Sequence, residues 1–216
     1  MKKVYGLLLL VLMMIAVENV KAQFSAGVDL YSSYVWRGTQ FGKGPAVQPS
    51  VGYSAGGFSV GAWGSVCTSD LEGFEMDLSA GYDFDFGLSL LVTDYYFGID
   101  PTSGAGWLTS DMHSIEPSIS YSIGNFSLTG AYMKGLGSSN ISDVYFEAGY
   151  SFKSVSLFVG AGDGQYTSDS NFNVCNVGIS TSKEIKVTDD FSIPVSGSVI
   201  LNPSTEGFFI VVGISL

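Results

Sequence analysis

The sequence predicts an all-β fold, an antiparallel up-and-down transmembrane β-barrel of about 12 strands. Three observations carry that expectation. From residue 23 onward apolar and polar residues alternate almost without a break, which gives each segment one apolar and one polar face. Tight turns alternate with longer links, as short periplasmic turns alternate with longer outer loops in such barrels. Charged residues make up only 13% of the chain, against about 25% in an ordinary soluble domain, and this asks for an apolar solvent around the fold.

The first residues predict export. Met1-Lys2-Lys3 is followed by a 14-residue apolar run from Val4 to Val17, and Val20-Lys21-Ala22 places small or compact residues at a cut. That is the pattern of a cleavable secretory signal over residues 1–22. The run is shorter than the roughly 20 residues of a membrane-spanning helix. The absence of a cysteine at the exit argues against a lipid anchor. Residues 23–216 are then one barrel domain in the outer membrane of a Gram-negative cell, with six basic residues against 19 acids and a net charge of −13. So acidic a chain repels nucleic acid, and that class of partner is set aside.

Twelve alternating segments follow in order, near residues 24–37, 46–55, 58–67, 73–85, 87–98, 112–123, 126–135, 142–152, 155–163, 172–182, 191–201 and 207–216. Most hold about ten residues, the length of a tilted strand crossing an outer membrane. Ala55-Gly56-Gly57, Phe84 to Gly87, Ile123-Gly124-Asn125 and Phe152-Lys153-Ser154 supply tight turns. Lys183 to Asp190 is long for a turn, which makes that hairpin the weakest of the set. An even strand number puts both ends of the barrel in the periplasm. The last segment, Phe208 to Leu216, has the form that barrel assembly machinery recognises, although it ends on Leu216 and not on an aromatic residue. An open sheet in lipid would leave its edge amides unpaired, so the sheet has to close. A soluble sandwich or lipocalin-like barrel would bury the apolar face and carry charge on the other, which here is mostly Ser and Gly.

The most distinctive stretch lies between Asp29 and Ser65. It contains Tyr31-Ser32-Ser33-Tyr34-Val35-Trp36-Arg37-Gly38, then Pro45-Ala46-Val47-Gln48, then Gly61-Ala62-Trp63-Gly64-Ser65. These three segments resemble the start of the TorF family of porins. The resemblance implies an outer-membrane barrel of porin type and no established substrate.

Candidate chemistry is sparse. His113, the single histidine, neighbours Asp111 and Ser114, but adjacent strand residues point to opposite faces, so His113 cannot pair with Ser114 for hydrolysis. Asp163-Gly164 and Asp169-Ser170-Asn171 lack the ordered ligand run of a calcium loop. The expectation is therefore no catalytic residue, no metal and no cofactor. Cys67 and Cys175 fall on distant strands and are expected to remain unbridged. Tyr34, Trp36, Tyr95, Tyr96, Phe97 and Trp107 near outer strand ends read as an aromatic belt at the lipid interface.

Parity assigns the lumen face to Asp29, Glu75, Asp77, Asp83, Asp85, Glu116 and Glu147, with Arg37 the main inward base. Arg37 is placed at the outer end of the first strand by continuing parity from Phe24, Ala26, Val28 and Leu30, which gives Trp36 to lipid. Glu206 and Glu72 are its candidate partners. Gly27, Gly52, Gly61, Ser79, Gly149 and Gly178 are expected to leave room for water. Twelve strands tilted by about 40° enclose a backbone diameter of about 24 Å. The expected function is a porin-like channel for passive diffusion of small solutes, mildly cation-preferring, with outer-membrane lipid and the assembly machinery as partners. The alternative is a closed structural or surface-binding barrel, plugged by inward loops or by Tyr31, Trp63 and Tyr145.

Overall fold

The computed structural model describes residues 23–69, 74–98, 109–189 and 191–216. The expected leader, Glu72 and Trp107 lie outside these residues. The chain forms β1 (Gln23–Tyr31), a small hairpin of β2 (Tyr34–Trp36) and β3 (Thr39–Phe41), then β4 (Ala46–Ala55), β5 (Phe58–Cys67), β6 (Glu75–Asp83) and β7 (Leu88–Tyr96). It continues through β8 (His113–Ile123), β9 (Phe126–Gly135), β10 (Ser142–Phe152), β11 (Val155–Gly162), β12 (Asn173–Lys186), β13 (Ser192–Asn202) and β14 (Gly207–Ser215). All but β2 and β3 form one closed barrel of 12 antiparallel strands. The only helical turns among the described residues are two single 3-10 turns, Ser110–Met112 and Gly164–Tyr166.

Closure follows from the register. β1 meets β14 with Asp29 opposite Ser215 and Tyr31 opposite Gly213, and Val28 and Leu216 exchange backbone bonds of 3.0 Å. The predicted segments coincide with the wall strands to within a few residues. The hairpin between β12 and β13, weakest in the sequence, is a genuine one. Its strands run longer than expected, to Lys186 and from Ser192, and Val187 N–H closes the turn on Phe191 O at 2.9 Å.

The first strand departs from the expectation. It leaves the wall at Tyr31, and Ser32 and Ser33 break the alternation before β2 begins. The continued parity that placed Trp36 in lipid is therefore incorrect. Past Ser33 the chain turns inward and pairs on itself as the β2–β3 hairpin.

The outward face is apolar through the middle of the wall: Val51, Val60, Leu78, Val92, Ile119, Leu128, Leu157, Val199 and Ile210 are all exposed. At the short-turn end Phe24, Phe58, Phe84, Phe86, Phe126 and Phe152 form an exposed aromatic girdle. Water would penalise this much contiguous apolar surface, whereas lipid accepts it. The inward face near the same end is small. A Cβ on Gly52 would stand 2.9 Å from Ser25 Oγ, and one on Gly149 would stand 2.5 Å from Ser127 Oγ. Gly178 does not line water as expected, because the Phe158 ring lies over it, 2.2 Å from where a Cβ would stand. Gly160 is covered by Tyr145 in the same way. Each glycine lets an aromatic ring from the next strand lie flat against the wall.

Candidate functional site

The β2–β3 hairpin packs inside the barrel, and the 3-10 turn Gly164–Tyr166 adds the buried Tyr166 to the same cluster. Trp36 stands opposite Thr39, and the two residues between them form its tip. Arg37 (φ 49°) and Gly38 (φ 77°) are both left-handed, the signature of a two-residue type I′ turn. Glycine is required at the second position for space as well as conformation, because a Cβ there would stand 2.0 Å from the Cys175 carbonyl oxygen. Arg37 accepts an unfavourable backbone for a non-glycine residue, and its side-chain bonds offset that cost.

Those bonds fasten the tip to the far wall. Arg37 Nη1 donates to Glu116 Oε2 at 2.6 Å and Nη2 donates to Glu116 Oε1 at 2.8 Å, a two-point contact between groups only 11% and 3% exposed. Nη1 also donates to Tyr166 Oη at 2.7 Å. The guanidinium lies 4.3 Å from the ring centres of both Trp36 and Tyr145, so its charge is also met by π-faces. Burial pushes the Tyr166 phenol above its ordinary range, which keeps it a neutral hydroxyl for Arg37. Taking one partner from a buried ion pair costs about 3–5 kcal/mol, because the other charge is stranded.

The rest of the hairpin is held on several sides. Tyr34 Oη donates to Glu75 Oε2 at 2.8 Å on β6. Trp36 packs on Tyr95 of β7 and on Tyr166, at 5.5 and 5.6 Å between ring centres. Tyr34 meets Trp63 of β5 at 5.6 Å. Asn202 at the end of β13 donates to Gly38 O at 3.2 Å and to Tyr166 O at 3.0 Å, and its Oδ1 receives the N–H groups of Ser204 and Thr205. Cys67 Sγ donates to Phe41 O at 3.2 Å. The hairpin thus touches strands around the wall and occupies the half of the lumen away from the short turns. A bulge in β12 helps to seat it. Gly160 pairs with Asn176 and Ala161 with Val174, so Cys175 is the extra residue. Cys175 and Asn176 are consequently both buried beneath the tip, where strict alternation would send one outward.

Residues 16–191 match Gcw_chp, described as a bacterial protein of unknown function. The chain belongs to the Gcw_chp family. No curated protein matches it. Among solved structures it is similar to a mutant of the porin of Rhodopseudomonas blastica, with 16% identity and a TM-score of 0.45 over 79% of this chain and 55% of the porin chain. A second mutant of that porin gives 15% identity and a TM-score of 0.43 over the same shares. The Gcw_chp chain thus spans about half the length of the porins it matches. The family description assigns no activity.

Within this Gcw_chp barrel, Glu116 and Glu147 reach the hairpin zone. Glu147 Oε2 accepts bonds from Tyr145 Oη at 2.5 Å and Asn176 Nδ2 at 2.9 Å. Glu75 and Asp77 are buried on the same face of β6, each with one oxygen that meets no hydrogen-bond donor among the described residues. Asp29 lies beside Gln48 on the inward face of β1, and Asp83 is exposed at the turn end of β6. Asp85 lies past the end of that strand, in the exposed turn, because β6 stops at Asp83. Arg37 is paired with Glu116 and not with Glu206, which is an exposed turn residue of left-handed backbone (φ 58°). Cys67 and Cys175 are both buried and neither forms a disulfide.

The expected outer aromatic belt is corrected in part. Tyr34, Trp36 and Tyr95 belong to the lumen packing, and Phe97 stacks on Tyr95 at 5.9 Å. Tyr96 is buried against His113, 5.0 Å between ring centres. His113 Nδ1 lies 2.9 Å from Asp94 Oδ1, and Ser114 takes the opposite face beside Tyr95. Among the described residues no three His, Cys, Asp or Glu side chains stand close enough to hold a metal. In the outer loops, the Ser138 backbone N–H donates to the exposed Asp111 carboxylate at 2.6 Å and holds it below the usual carboxylate range.

Tyr166, Asn176 and Asn202 were not among the residues that the sequence singled out. The Arg37-Gly38 pair between two short alternating runs was a legible hairpin signal.

Proposed function

We propose that the protein is a porin-type passage for small solutes in the outer membrane, with its bore set by the β2–β3 hairpin. The observation that carries this reading is the contrast between the two halves of the lumen. The half away from the short turns holds a hairpin fastened by polar and aromatic contacts, while the half near the short turns is lined mainly by Ser and Gly, with Leu91 and Phe158 among them. A barrel built only as scaffold gains nothing from a small polar lumen. The outward apolar band and aromatic girdle support the membrane setting, and no step of the reading needs a catalytic residue or a cofactor. The resemblance of the first hairpin to the TorF porins points the same way.

The Arg37–Glu116 pair neutralises itself. Asp29, Glu147 and Asp83 remain as inward acids, so the passage prefers cations and loses that preference in high salt. The tight hold on the hairpin favours a narrow bore and supplies the competing reading, a closed barrel. Proteoliposomes loaded with impermeant polymer test the proposal. Swelling in small solutes at a rate above protein-free vesicles is expected, with a sharp cut-off at low mass. No swelling in any solute would overturn it.

A further inference from the structure

We infer that the lumen holds a binding pocket for a neutral, polyhydroxylated small molecule of monosaccharide size, directly beneath the hairpin tip. This rests on reading the lumen as a solute path and names the solute class. A cavity of about 330 Å³ lies there, with Trp36 and Arg37 from the hairpin as one boundary and Thr129, Glu147, Phe158 and Asn176 from the wall as the other. The volume falls at the small end of ligand pockets. The wall residues stand one rung above Ser127, Gly149 and Ser156, so the cavity continues into the small-residue half of the lumen.

The chemistry of the boundary selects the ligand. Glu147 uses Oε2 for Tyr145 and Asn176, while Oε1 takes no bond among the described residues and can accept from a hydroxyl. Arg37 spends three of its five N–H groups on Glu116 and Tyr166 and keeps two donors. Thr129 bonds Ser120 at 2.9 Å and, as a hydroxyl, has further capacity. A donor, an acceptor and an amphoteric hydroxyl around one small space match vicinal hydroxyl groups. The Phe158 ring and the Ile200 side chain offer apolar surface to the C–H side of such a molecule, and the Trp36 indole stands at the rim. Anions are disfavoured by the Glu147 carboxylate, which lines the cavity. Organic cations are disfavoured because Arg37 already occupies the faces of Trp36 and Tyr145.

The test uses the full barrel in a detergent without a sugar headgroup, with Trp63→Phe and Trp107→Phe leaving Trp36 as the sole indole. Glucose, tetramethylammonium chloride and sodium acetate are titrated while Trp36 fluorescence is read. Glucose is expected to give a saturable change and the two ions none. Glu147→Gln and Thr129→Val are each expected to weaken glucose by about tenfold, the loss of one hydrogen bond, with heat-dependent gel mobility confirming the closed barrel. A linear or absent response to glucose, a stronger response to either ion, or wild-type affinity in both variants overturns the pocket. Because binding is read at equilibrium in micelles, its failure is separate from that of the passage. A barrel that binds glucose without passing solutes sinks the passage alone, and one that passes solutes without binding glucose sinks the pocket alone.

Discussion

Replacing Arg37 with Gln should release the hairpin without opening the wall. Arg37 makes all its ion-pair and phenol bonds to residues of other elements, and β2–β3 pairs only with itself, so the wall ladders do not depend on it. The substitution leaves Glu116 buried, with Tyr95 Oη at 3.2 Å as its remaining donor. Losing one member of such a pair costs about 3–5 kcal/mol, and about 1.4 kcal/mol is a factor of ten, so the released population should rise about 100-fold or more. The protein carries its own reporter. Cys175 is fully buried under Gly38, and Cys67 is fully buried beside Phe41, so both thiols sit behind the hairpin. In a Cys67→Ala background, native maleimide labelling of Cys175 followed by mass spectrometry reads release directly. When opening and closing are fast relative to labelling, the rate follows the open population and should rise by the same factor. Adding Glu116→Gln should bring labelling back toward wild type, because no stranded charge remains. Labelling of Arg37→Gln at the wild-type rate, with the closed barrel confirmed by gel mobility, would refute the fastening role.

Gly38→Ala should expose Cys175 as strongly, because its methyl would meet the Cys175 carbonyl and its backbone is left-handed; a wild-type labelling rate would contradict that contact. The Asp111–Ser138 clasp should depend on acid. The folded carboxyl is held below its unfolded value, so the clasp contributes fully above about pH 4 and is lost as pH falls through the folded value. Hydrogen exchange at the Ser138 amide should therefore accelerate at low pH relative to its intrinsic rate, and in Asp111→Asn this pH dependence should vanish.

Alternation and loop length made the 12 wall strands readable, because a period of two survives wherever one face is apolar and outward and the other lines the lumen. Arg37 was assigned to the lumen, but through the wrong geometry. Parity carried across Ser32 and Ser33 assumes an unbroken strand, and those two residues end it. Its partner, Glu116, is 79 residues away and meets it only because the barrel closes, so local pattern could point no more strongly to Glu116 than to Glu206 or Glu72. Cys175 and Asn176 were hidden by the bulge, which places neighbouring residues on one side. The aromatic residues misled for a related reason. Tyr34, Trp36 and Tyr95 have belt-type composition, but only tertiary context shows that they pack on the hairpin inside the lumen.

Single-channel recording in planar bilayers tests the central claim most directly, comparing the intact barrel with one in which residues 33–42 are replaced by a short Gly-Ser linker. The account expects small, cation-preferring conductance for the intact barrel and a several-fold larger, less selective conductance once the hairpin is gone, approaching an unobstructed bore with a backbone diameter of about 24 Å. Equal conductance in the two proteins would show that the hairpin does not set the bore, and silence in both would show that the barrel is not a passage.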